Sequence, residues 1–104
     1  MRFPLALFAL LAAHPALAAP TCSTLKAEFR PYLGKPYPLA VKKATALCGE
    51  SWNDPHPDKH ETRPIFAYGF TCEFPGFVYG RSLVYGLEIH VSGKTKLVSK
   101  IKCS

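Results

Sequence analysis

Beyond Leu17 the chain has no apolar run approaching the roughly 20 residues that cross a bilayer as a helix, so its body carries no helical membrane anchor. It has four cysteines, yet no two of them lie within four residues of each other. Structural zinc sites usually bring ligands in close pairs, so zinc is the weaker reading of these thiols. Repeats, low-complexity tracts and internal linkers are also absent, which leaves at most one domain. Acidic residues are scarce, 7 Asp and Glu against 13 Lys and Arg, for a net charge of +6. Tryptophan occurs once, at Trp52, and reads most simply as a packing residue after the helix, with stacking on a base as the less favoured alternative.

What is present begins with Met1-Arg2, an apolar run from Phe3 to Leu17, and the small-x-small sequence Ala16-Leu17-Ala18. Residues 1–18 therefore read as a secretory signal peptide, and residues 19–104 as a single secreted, extracellular domain. A core of that size is marginal and wants covalent help. Cys22, Cys48, Cys72 and Cys103 supply it as two disulfides, with three pairings open. Joining Cys22 to Cys103 would close a loop of about eighty residues, restrain the unfolded chain by on the order of 4 kcal/mol, and leave Cys48 for Cys72. Losing Arg2 with the leader lowers the net charge from +6 to +5. Lys94, Lys96, Lys100 and Lys102 crowd the C-terminal end, which suits polyanions such as RNA, although solubility alone also explains such charge.

Tyr37, Ala40, Val41, Ala44, Leu47 and Cys48 form an i, i+3, i+4, i+7 stripe, which predicts an amphipathic helix over 37–48, opened by Pro38 and stopped by Gly49. From Pro64 onward the pattern turns to period two. Strands are expected over 65–73, 78–85, 86–92 and 96–103, with breaks at Pro75-Gly76, Gly86 and Ser92-Gly93-Lys94. Residues 20–35 read as ambiguous, a short strand or hairpin. One helix followed by an antiparallel meander is an α+β domain. Alternation places His90 off the core face, and Glu73 on the same side of the sheet.

A carboxylate, a histidine and an arginine near a loop that brings a further histidine are the equipment for cleaving a phosphodiester by internal transesterification. The relevant segments run in one order through most of residues 37–104: the helix, Asp54-Pro55-His56, Glu73-Phe74-Pro75, Arg81-Ser82-Leu83-Val84-Tyr85, Leu87 to Gly93 with His90-Val91-Ser92-Gly93 at its end, and Lys102-Cys103-Ser104. In that order they resemble the small secreted fungal ribonucleases of the guanyl-specific type, and the ribonuclease-like effectors that plant-infecting fungi secrete on the same scaffold. The resemblance implies one amphipathic helix packed on a twisted antiparallel sheet, stapled by two disulfides. It implies Glu73 as the base that takes the ribose 2′-hydroxyl proton, His56 beside it, and His90 as the acid that protonates the departing 5′-oxygen. Arg81 would stabilise charge at phosphorus, and the product would be a 2′,3′-cyclic phosphate. No metal or cofactor is needed. Lys59, His60, Glu61 and Lys100 would meet substrate, and the four catalytic side chains should lie within about 10 Å of one another.

The chain departs from the family at Asp54, which replaces an aromatic residue, at Pro57-Asp58-Lys59-His60, which replaces the guanine-holding segment, and in the short span from Glu73 to Arg81. These departures support a second reading, a monomeric effector that binds host RNA or a host protein without turnover, inside host cells if it is translocated. A cationic, disulfide-rich toxin or antimicrobial is a third. His56 and His60 lie four apart as metal ligands on a helix would, but Pro55 and Pro57 argue against a helix there and favour a polar turn. Glu73 alone is an ordinary exposed strand carboxylate, His90 a surface histidine paired with Glu88 or a cross-strand neighbour, and Arg81 half of a surface ion pair.

Overall fold

The computed structural model describes residues 20–55, 63–76 and 81–104. The first element is helix α1 (Cys22–Phe29), where the structure differs from the strand or hairpin expected over 20–35. Thr21 caps it: its hydroxyl accepts the Thr24 N–H at 3.2 Å, and Thr24 Oγ1 accepts the Thr21 N–H at 2.8 Å. Leu25 and Phe29, one turn apart, are its buried residues. A 3₁₀ turn over Arg30–Tyr32 follows.

Helix α2 (Tyr37–Cys48) has the bounds the stripe predicts. Pro38 needs no N–H in the first turn, and Gly49 leaves the helix at φ 98°, donating its N–H to the Thr45 carbonyl at 2.9 Å. Its buried residues are small, Ala40 and Ala44. Small side chains let the helix approach closely a sheet whose inner face is large and aromatic.

That sheet has three antiparallel strands in the order β1 (Ile65–Phe74), β2 (Leu83–Ser92) and β3 (Val98–Cys103). Two expectations are corrected here. The strands foreseen over 78–85 and 86–92 are one, because Gly86 exchanges both backbone hydrogen bonds with Ser104 at 2.9 Å and the ladder runs through it. The last strand starts at Val98, since Lys96 takes a positive φ of 62° in the preceding turn. Residues 77–80, like 1–19 and 56–62, lie outside the described residues.

Phe66, Tyr68, Phe70 and Cys72 of β1, Leu87, Ile89 and Val91 of β2, and Val98 and Ile101 of β3 join Phe29, Ala40 and Ala44 in a single core. Tyr37 stacks on Tyr68 with ring centroids 5.5 Å apart and meets Phe66 edge-on at 5.9 Å. The disulfides join Cys22 to Cys103 and Cys48 to Cys72. One ties α1 to the last strand, and the other ties the end of α2 to β1. The domain is α+β with two disulfides. Among the described residues no helix is long and apolar enough to cross a membrane.

Opening the inner disulfide by Cys48→Ala with Cys72→Ala releases a loop with a sequence separation of 24. Stability in urea should fall by about 3 kcal/mol on the chain-entropy account. Burial, first, then the hydrogen bond with Tyr37 and the charge of Asp54 push the Tyr68 hydroxyl well above the ordinary phenol range. The folded state thus prefers the neutral phenol. Its contribution is complete below the ordinary tyrosine pKa of about 10 and is lost as pH climbs above it. The urea midpoint should therefore drop more between about pH 9 and pH 11 in the native chain than in Tyr68→Phe.

Candidate functional site

Every second residue of the sheet points away from the helices. From β1 these are Ala67, Gly69, Thr71 and Glu73, and from β2 Gly86, Glu88 and His90. Lys100 and Lys102 continue the same face on β3. The register arranges them in cross-strand rows: Ala67 beside His90 beside Lys100, then Gly69 beside Glu88 beside Lys102. His90 Nε2 lies 2.8 Å from Glu88 Oε1, so the pairing that alternation allows within β2 is formed.

The open edge of β1 is closed by the chain that leaves α2. Asn53 Nδ2 donates to the Ala67 carbonyl at 2.8 Å, its Oδ1 accepts the Gly69 N–H at 2.6 Å, and the Trp52 N–H donates to the Gly69 carbonyl at 3.0 Å. One side chain and one amide thus imitate an extra strand. They also lay the Trp52 indole over Gly69, where a Cβ would collide with the ring's Cζ2 and Cε2 atoms. Trp52 remains 64% exposed. A glycine between Tyr68 and Phe70 is the sequence signal for such a close approach. The packing reading of Trp52 did not locate its partner, and Lys102 was not singled out for this face.

The structure brings His90, Glu88, Lys100, Lys102 and Trp52 together on one face. It does not bring Glu73 to His90. Glu73 faces Val84, whereas His90 faces Ala67, six residues earlier on β1. At about 3.3 Å per residue this is on the order of 20 Å, beyond any shared proton transfer. Arg81 lies just before β2, near Glu73, and its backbone carbonyl packs against Gly76. Glu73 and Arg81 therefore share the hairpin end of β1 and β2, while His90 lies toward the other end. Period two fixed the common face, but only register sets the distance. His56, Lys59, His60 and Glu61 lie outside the described residues.

Chemically the assembled face offers an aromatic plane for stacking, two ammonium groups for phosphates, and a carboxylate–imidazole pair that accepts and donates hydrogen bonds at a base edge or phosphate. Comparison of the chain with protein-family models, curated proteins and solved structures gave no match.

Gly69→Ala tests how the face is built. The new methyl group should displace the indole, red-shift the emission of the chain's single tryptophan and leave far-ultraviolet dichroism unchanged. Unaltered emission would show that Trp52 does not rest on Gly69.

Proposed function

We propose that the chain is a secreted, ribonuclease-like domain that binds single-stranded RNA on the open face of its sheet and acts as a binding module. The observation that carries this reading is the exposed Trp52 ring held on the face that also presents His90, Lys100 and Lys102. Stacking on an aromatic side chain contributes about 1–3 kcal/mol per base, and lysines flanking the platform gain from counterion release. The net charge of +6 agrees in sign. The toxin reading has less support. Lys43 of α2 is drawn to Glu28 at 3.1 Å and over the rings of Phe29 and Tyr32, and α2 turns Tyr37, Ala40, Val41, Ala44 and Cys48 of its apolar stripe to the core, leaving Leu47 exposed.

A second reading, cleavage of the bound strand, is favoured by one contact. Glu88, 2.8 Å from His90, would fix the imidazole so that its protonated form donates to the departing 5′-oxygen as the 2′-hydroxyl attacks phosphorus and yields its proton to water.

Fluorescence anisotropy with a short labelled single-stranded RNA tests both. Trp52→Ala should weaken binding by roughly 5- to 150-fold, the equivalent of one lost stacking contact. Native affinity in both Trp52→Ala and Lys100→Ala/Lys102→Ala would sink the binding reading. Incubating the RNA in EDTA and assaying its ends for 2′,3′-cyclic phosphate separates the second: product lost in His90→Ala establishes cleavage, and no product leaves a binding module.

A further inference from the structure

Beyond the edge of the open face, α1 and β3 enclose a groove of about 290 Å³ lined by Lys26, Arg30, Leu33, Ser99, Lys100 and Ile101. Three of these six are cationic and none is acidic. Lys26 and Arg30 are one helical turn apart, fixed by the Arg30 N–H donating to the Lys26 carbonyl, and like charges at that spacing repel. The nearby carboxylate of α1, Glu28, is engaged by Lys43 at 3.1 Å. The remaining wall is held rigidly. Gly34 N–H donates to the Val98 carbonyl at 2.8 Å and Val98 N–H to the Lys35 carbonyl at 2.9 Å, which keeps Leu33 beside β3. Cations gathered beside the apolar Leu33 and Ile101 concentrate positive potential at one place on the surface.

Lys100 belongs to both places: it stands in the cross-strand row of Ala67 and His90, and it lines the groove. We propose that the groove is a phosphate-binding subsite that takes the backbone of the RNA strand where it leaves the sheet over Lys100. This rests on the RNA-binding reading. A strand whose base stacks on Trp52 crosses β1, β2 and β3 in turn, about 10 Å at the usual strand spacing, and at Lys100 meets the groove that Lys26 and Arg30 line.

The salt dependence of binding to a short single-stranded RNA tests this. Neutralising two phosphate contacts with Lys26→Gln/Arg30→Gln should flatten the slope of log K against log salt by about 1.4 and weaken binding roughly tenfold near 0.15 M salt. Lys42→Gln/Arg63→Gln removes the same charge away from the groove and should leave the slope unchanged. Equal losses in both pairs would overturn the subsite, because net charge alone would then account for them. A native slope in Lys26→Gln/Arg30→Gln, with binding still weakened by Trp52→Ala, would overturn the subsite and keep the RNA face. Failure of the unmodified chain to bind RNA would overturn both.

Discussion

The open face depends on how the edge of β1 is satisfied. An edge strand presents outward N–H and C=O groups, and leaving a covered one unpaired costs about 1–3 kcal/mol. Here Asn53 and the Trp52 amide answer the groups of Ala67 and Gly69, with distances of 2.6 to 3.0 Å. The same residues are small on the outward face, so the indole can rest directly over Gly69. Edge protection and placement of the exposed aromatic are therefore one event. Its geometry is inherited from α2, because Gly49 ends the helix and the Cys48–Cys72 disulfide anchors that end to β1 just upstream of the loop.

The elements that could be read from sequence are those marked by strong local chemistry. Pro38 and Gly49 punctuate α2, and the aromatic alternation of β1 names its buried face residue by residue. Helix α1 escaped because only Leu25 and Phe29 are buried in it and its capping box uses Thr24 where glutamate or glutamine is usual. Gly86 suggested a break, but cross-strand hydrogen bonds to Ser104 outweigh glycine's local preference. Alternation correctly set Glu73 and His90 on one face. It carried no information on the six residues that separate Glu73 from Ala67, the partner of His90, since pairing register depends on the whole hairpin. Trp52 was legible only through Gly69, a signal that gains meaning once the loop is known to fold back.

The helices decide which cations remain on offer. Lys43 bridges α1 and α2, donating to the Glu28 carbonyl at 3.2 Å and lying 5.4 Å and 5.6 Å from the ring centroids of Phe29 and Tyr32. Its charge is thus spent inside the fold. Lys26 of α1 and Arg30, which caps its end, line the groove with residues of β3, and the Cys22–Cys103 disulfide holds α1 against that strand. Lys26 and Arg30 thereby join Lys100 beside β3, and Lys102 continues the row of cations on the open face.

That arrangement bears on whether a bound strand would also be cut. In-line displacement at phosphorus places the attacking and leaving oxygens on opposite sides, so the base and the acid must flank the phosphate. Glu88 and His90 are two apart on one strand and touch each other at 2.8 Å, which puts both on one side of any phosphate above the sheet. Glu73, the carboxylate that the resemblance would make the base, is on the order of 20 Å further along β1. A touching pair of this kind orients an imidazole and offers hydrogen bonds to a base or phosphate. With Trp52 on one flank and lysines on the other, its geometry fits hydrogen bonding to a ligand better than in-line displacement.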